Sequence, residues 1–330
     1  MIRSNHAIGW TVFIKAGEKY MAQNTAKKKK IKIKPFIPLY IMMIPGLLYL
    51  FINNYLPMSG LVVAFKNYNA QKGIFGSDWA GLKNFEYLFR TSDAWIITRN
   101  TVLYNAAFIV LNTFLAVLIA ILLSEITAKK AVKLYQSVIL LPFLISAVIV
   151  SYLVYAFFSA ETGFLNKTVL ALLGKDAISW YNEAKYWPAI LITVNAWKGA
   201  GYLSVVYLAA IIGIDRSFYE AAAIEGATKI QQIRCITLPL IKHVIVLMTM
   251  LAIGRIFYSD FGLFYQVPMN SGAIYSTTNV IDTYVYRGLL QLGNISMSSA
   301  AGVYQSIVGF VLVLISNLIV RKIDNESALF

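Results

Sequence analysis

The sequence has one cysteine, Cys235, two histidines, His6 and His243, and few charges: only 13% of its 330 residues are Asp, Glu, Lys or Arg. A single cysteine excludes an intramolecular disulfide and any cysteine-based metal cluster. Two histidines so far apart in the chain give no footing for a histidine metal or catalytic site. No G-x-x-x-x-G-K-[ST] run occurs, so if the protein works with ATP another chain must hydrolyse it. The apolar runs hold no paired histidines or carboxylates, which argues against a membrane enzyme. No internal repeat is visible, which argues against the repeat-built secondary transporters. Soluble domains carry about 25% charged residues. With 58% hydrophobic residues and a mean hydropathy of +0.65, this chain reads as a polytopic, all-α membrane protein.

The charges that are present lean one way, 29 basic against 15 acidic, for a net charge of +14. Nucleic-acid binding is one reading of such a balance. The basic residues, however, flank apolar runs, as the positive-inside rule expects, so the surface they meet is membrane lipid and not nucleic acid. Residues 1–34 form a basic cytoplasmic tail ending in Lys27, Lys28, Lys29, Lys30, Lys32 and Lys34. Ala7–Tyr20 reads as a short surface helix, Met21 as an alternative start, and no signal-peptide pattern is present.

About 20 apolar residues span a bilayer. A transmembrane domain over 35–322 supplies six such runs, near 36–55, 100–124, 134–158, 187–213, 240–264 and 298–320. Short basic loops alternate with longer mixed ones. That pattern places 66–99, 161–185 and 265–287 outside, and both termini, including the tail 323–330, in the cytoplasm. The first outer loop reads as carrying an amphipathic helix around Trp79–Leu88, and the third a short helix within Thr277–Arg287.

A polar interruption at 217–239 separates the fourth and fifth runs. Ser217 with Glu220, and Thr228 with Gln231, have capping-box spacing. Gly226 sits between them where a left-handed helix stop belongs. Pro239 ends the second short helix or starts the next. Ala221, Ala222 and Ala223 keep the first helix thin, so a partner surface can approach its backbone. An ordinary loop with two helical turns is the plain reading; a docking helix is the sharper one.

This stretch resembles the EAA loop of ABC-importer membrane subunits, through Glu220, Ala221, Ala222, Gly226, Leu238 and Pro239. Glu225 stands where the sugar-importer version has Asp, with the charge kept. Ser259–Pro268, Thr278–Val285, Ser299–Ser306, Tyr55–Pro57 and Gly81–Phe85 are similar to the oligo- and polysaccharide branch, and within it to the membrane subunits of bacterial alginate importers. The likeness covers most of 35–330. It implies a type I ABC-importer permease fold in the bacterial inner membrane and a non-catalytic transport subunit. It implies a heterodimer with a second permease, two cytoplasmic ATPase subunits that hold the ATP and Mg, and an extracytoplasmic solute-binding protein. No cofactor is implied on this chain. The implied ATPase contact comprises Glu220, Ala221, Ala222, Glu225, Gly226, Leu238 and Pro239, relaying motion to the fourth and fifth spans.

Charges inside a membrane cost a few kcal/mol on insertion scales and are functional candidates by default. Lys198 lies roughly 25 Å before Asp215 along a helix, in the outer half of its span, where snorkelling to headgroups competes with a role in a path. Arg255 and Asp260 fall in the fifth run, where a structural interaction competes with the same role. Together they outline a path with cationic groups for an acidic sugar, because a guanidinium binds both oxygens of a carboxylate. Trp197, Tyr202, Tyr258 and Tyr265 lie near them and suit stacking on sugar rings, or equally packing and the interfacial aromatic belt. Asn195 and Gln305 are placed to bond across helices. A permease for a neutral oligosaccharide is the alternative within this class; a channel or secondary transporter is the alternative outside it.

Overall fold

The computed structural model describes residues 37–323. The basic tail, its expected surface helix Ala7–Tyr20 and the last seven residues lie outside the described residues. The chain divides into two units, Met1–Ser59 and Gly60–Phe330. In the first, helix α1 (Ile37–Leu50) continues through a wider π-helical turn, Phe51–Tyr55, into a last turn at Leu56–Met58. α1 itself is apolar and carries Pro45 within the helix, and the π-helical turn adds Asn53 and Asn54.

The second unit opens with a two-stranded antiparallel ladder, β1 (Lys66–Asn67) against β2 (Asp78–Trp79). This departs from the sequence expectation, since Trp79 belongs to the ladder and stacks on Phe65 with ring centroids 6.0 Å apart. The amphipathic helix starts later, as α2 (Lys83–Arg90). Asn84 fixes it by donating from Nδ2 to the carbonyls of Ala64 and Lys66 at 2.8 and 3.0 Å.

The remaining helices are α3 (Ser92–Ser124), α4 (Lys129–Leu144), α5 (Ala147–Phe158), α6 (Trp187–Ile212), α7 (Arg216–Ile224), α8 (Lys229–Gln232), α9 (Leu238–Ile253), α10 (Ile281–Leu290) and α11 (Ile295–Ile323). Among the described residues, five helical stretches are long and apolar enough to cross a bilayer, or six if the bent pair α4–α5 is one span. No more than 33% of any of the five spans' apolar windows is buried within the chain. Helices this apolar and this exposed need lipid or another chain around them.

α3 packs most extensively on α6. Their two ends are closed by separate apolar clusters. One gathers Tyr104, Phe108, Trp187, Leu191, Leu263 and Phe264; the other gathers Ala116, Ala120, Leu123, Tyr207, Leu208 and Ile241. α4 crosses α6 at Gly201, where an added Cβ would stand 2.2 Å from the carbonyl oxygen of Ile139. Small residues permit such backbone approach in membranes.

Three boundaries differ from the sequence reading. α3 begins at Ser92 and not Asn100, so the loop before it, expected over 66–99, is shorter. The third run is not one straight span: α4 and α5 meet at 93°. Pro142 removes a backbone donor at the end of α4, and Ser146 caps a new helix by accepting from Ile149 N at 3.4 Å. The fifth run does not continue to 264. α9 ends at Ile253, Gly254–Phe257 is a turn, and a π-helical turn resumes at Gly262–Gln266. The segment 265–287, expected outside, contributes to two helical pieces, Tyr275–Thr278 and α10, where one was expected.

Candidate functional site

The interruption of the fifth span builds the larger site. A broken helix leaves carbonyls and amides that membrane surroundings cannot satisfy. Here three side chains from three elements satisfy them. Asn105 on α3 donates to Ile256 O at 2.9 Å. Gln305 on α11 donates to Phe257 O at 2.6 Å. Asp282 on α10 accepts from Ser259 N at 2.7 Å and from Gln305 Nε2 at 3.2 Å. Burial pushes the Asp282 carboxyl above the usual aspartate range, opposed by these hydrogen bonds.

So anchored, Arg255, Tyr258, Ser259 and Asp260 face a cavity of about 520 Å³ between the two apolar clusters of α3 and α6. Arg255, Tyr258 and Asp260 line it from the break, Asn195 from α6, and Asn105, Asn112 and Thr113 from α3. Asn112 Nδ2 donates to Asn195 Oδ1 at 2.8 Å, the cross-helix bond expected of Asn195. Asn112 Oδ1 and Ser259 Oγ are buried without a hydrogen-bond partner among the described residues. The wall therefore carries hydrogen-bonding capacity that the chain leaves unused. Arg255 is exposed, and no ion pair is formed by it or by Asp260 among the described residues. Asp260 does accept from Leu263 N at 3.1 Å, capping the π-helical turn.

Of the path candidates, Asn195, Arg255, Tyr258 and Asp260 come together here, while Trp197, Lys198, Tyr202 and Tyr265 are not in the wall. Trp197 is about 200° round the helix from Asn195 and half-exposed. Tyr202 stacks on Phe143 of α4, ring centroids 4.6 Å apart. Tyr265 packs with Phe261 and Tyr286. Lys198 is half-buried away from the cavity. Asn105, Asn112, Thr113, Tyr207 and Ser259 line the cavity without having been singled out as path residues; amides in an otherwise charge-free run were the available signal.

The second site is the helix pair α7–α8. The first cap differs from expectation: α7 starts at Arg216, so Ser217 lies inside the helix and Asp215 caps it, accepting from Ser217 N at 2.9 Å. That bond holds the exposed Asp215 carboxyl below its usual range. The Thr228–Gln231 capping box is present. Gly226 has φ +81°. Its N–H reaches Ala223 O at 3.1 Å and Ala227 N–H reaches Ala222 O at 2.9 Å, which closes a Schellman stop. α8 runs through a π-helical turn, Ile233–Thr237, into α9, with Leu238 and Pro239 at its start. Pro239 cannot donate to Cys235 O; the wider turn bonds Leu238 N to Ile233 O instead.

Glu220, Ala221, Glu225 and Gly226 are exposed, as are Phe218, Ile224 and Ile230, whereas Ala222 is half-buried. Behind this surface Lys229 pairs with Glu125 at the end of α3 (2.9 Å), and Tyr219 Oη meets Thr237 Oγ1 at 2.9 Å. The knuckle is thereby tied to α3 and to the root of α9. Among the described residues no cluster of His, Cys, Asp and Glu is arranged to hold a metal.

No family model matches the chain. It is 33% identical to the polygalacturonan/rhamnogalacturonan transport system permease protein YteP of Bacillus subtilis, over 91% of this chain and 94% of that one. It is 35% identical to protein LplB of Bacillus subtilis, over 88% and 90%. Among solved structures it superposes with a TM-score of 0.80 and 33% identity on a chain of a bacterial ABC transporter involved in the import of the acidic polysaccharide alginate, covering 88% of this chain and 98% of that one. The same values hold for that transporter in complex with its alginate-bound periplasmic protein, with 90% of this chain covered.

Proposed function

This chain belongs to the ABC sugar-transport permeases, multi-pass proteins of the bacterial inner membrane, and we propose that within that family it forms half of the translocation path for an acidic oligo- or polysaccharide. The observation that carries the acidic reading is Arg255: exposed on the wall of an amide-lined cavity, without a carboxylate partner among the described residues. A fork-shaped cation in such a wall matches a uronate carboxylate, and the amides match ring hydroxyls. The named substrates of two relatives, alginate and polygalacturonan, are uronate polymers. A second reading, a neutral oligosaccharide, is favoured by Asp260, whose carboxylate on the same wall offsets Arg255.

The other half of the path comes from a second permease, and two ATPase subunits hold the ATP and Mg. An extracytoplasmic binding protein delivers the sugar. The exposed surface of Glu220, Ala221, Ile224, Glu225 and Gly226, with Phe218 beside it, docks on an ATPase, so that α7–α8 and both termini lie in the cytoplasm. The test is uptake by proteoliposomes holding the whole complex, with uronate oligomers set against neutral ones of equal length. Acidic import that falls at least tenfold in Arg255→Gln supports the reading. Import of neutral sugars alone, unaffected by Arg255→Gln, rejects it.

A further inference from the structure

A second cationic group stands outside the path. Arg287, on α10, is only 9% exposed. Its guanidinium donates from Nη1 to Asn270 Oδ1 at 3.0 Å and from Nη2 to Asn279 Oδ1 and to Thr283 Oγ1, the last at 3.4 Å. It also lies 4.1 Å from the ring centroid of Tyr275. Every one of these partners is neutral. No carboxylate comes within 4 Å of it among the described residues. Buried charges are ordinarily paired, because an unpaired one forfeits its hydration for nothing. Burial lowers the Arg287 pKa, yet an arginine stays protonated in proteins, so the charge persists.

The guanidinium forms part of the wall of a cavity of about 360 Å³ between α10 and the start of α3. That is room for about a dozen waters at ~30 Å³ each, more than a single acidic side chain displaces and enough for a sugar ring. Ser276, Asn279, Tyr284 and Gln291 give the wall hydroxyls and amides. The one carboxylate in it, Asp93, is exposed in the first turn of α3 and makes no ion pair with Arg287. The same helix that carries Arg287 also carries Asp282, which holds Ser259 at the path cavity. A group bound at one cavity is thus one helix away from the other.

We propose that the Arg287 cavity is a receiving site for the carboxylate of an acidic saccharide, separate from the path cavity and at the end of the bundle opposite α7–α8. The inference rests on the acidic-substrate reading above. The guanidinium supplies the anion contact; Ser276 and Gln291 supply partners for ring hydroxyls.

The experiment uses the whole complex, in nanodiscs without binding protein for the binding readout and in proteoliposomes with binding protein for import and ATPase stimulation, with labelled trigalacturonate and a neutral trisaccharide as probes. The variants are Arg287→Gln, Arg287→Lys and Gln291→Trp. The last fills the cavity mouth without touching the Arg287 hydrogen bonds, so it reports even where Arg287→Gln fails to fold. Expected is a loss of trigalacturonate binding of at least tenfold in Gln291→Trp and Arg287→Gln, a smaller loss in Arg287→Lys, and no change for the neutral sugar. Wild-type import of trigalacturonate with unchanged binding in these variants overturns the site and leaves the substrate reading standing. Import and binding of the neutral sugar alone overturns both. Unchanged trigalacturonate binding with lost stimulation by the binding protein overturns the proposal in favour of a protein carboxylate as occupant.

Discussion

Replacing Gly226 isolates the backbone contribution of the knuckle. A Cβ at this position would meet nothing within 4 Å, so substitution causes no collision. What it does meet is φ +81°, a conformation that costs an L-residue roughly 1–2 kcal/mol. A β-branched side chain is worse placed there, and asparagine is tolerated. A penalty of that size shifts the balance between formed and opened turn about 5–30-fold. The Schellman bonds of Gly226 and Ala227 open with it, and with them the fixed angle between α7 and α8. Sugar moved per ATP hydrolysed, measured in proteoliposomes of the whole complex, is the readout. Gly226→Asn stays near wild type, Gly226→Ala falls, and Gly226→Val falls furthest while basal ATP hydrolysis persists. Asparagine as harmful as valine, or valine fully coupled, refutes the backbone argument.

Gly201→Ala drives a methyl against the Ile139 carbonyl, which no rotamer change relieves; overpacking of this kind costs about 1–3 kcal/mol and lowers the thermal midpoint of the purified complex. Thr228→Ala removes the N-cap of α8 and costs about 1 kcal/mol, read as roughly fivefold faster amide exchange at Gln231. Asp282 is held above the usual aspartate range, so the unfolded chain releases this proton first as pH rises. Stability then declines from about pH 3.9 up through the folded value, and Asp282→Asn flattens that part of a melting-temperature profile against pH. Asp215 has the opposite sign: its capping contribution is complete above the ordinary aspartate value and fades as pH falls through its depressed folded value. Protection of the Ser217 amide, relative to its intrinsic exchange rate at each pH, therefore falls at acid pH in wild type and is low and flat in Asp215→Ala.

The knuckle was legible because caps and left-handed stops are local: Thr228, Gln231 and Gly226 do in the structure what their spacing announces. The Ser217 reading slipped by two residues, since Asp215 stands nearer the end of α6 and accepts from Ser217 N itself. The fourth span was equally plain, a continuous helix between Trp187 and Ile212. The two broken spans were not. Hydropathy cannot tell helix from turn when the turn itself contains Ile256 and Phe257. Gly254 followed by Arg255 and Asp260, and Pro142 followed by Ser146, were the marks of the breaks. Path residues divided in the same way. Charges were visible as anomalies, but Asn105 and Asn112 are ordinary amides until a neighbouring helix breaks opposite them. Lys198 was chosen as a charge within a span and Trp197 for its closeness in sequence to that charge, which on a helix is not closeness in space.

The unwound stretch after α9 is held by Asn105, Gln305 and Asp282 through its main-chain atoms. The side chains of Arg255 and Tyr258 take no part in that hold and point their chemistry elsewhere. Architecture and taste are therefore written in different atoms of the same seven residues, 254–260. On the path role proposed above, cargo preference drifts by single replacements at 255 or 258 while the frame stays tied. A lineage of importers that keeps one frame and carries many sugars needs little more than that division.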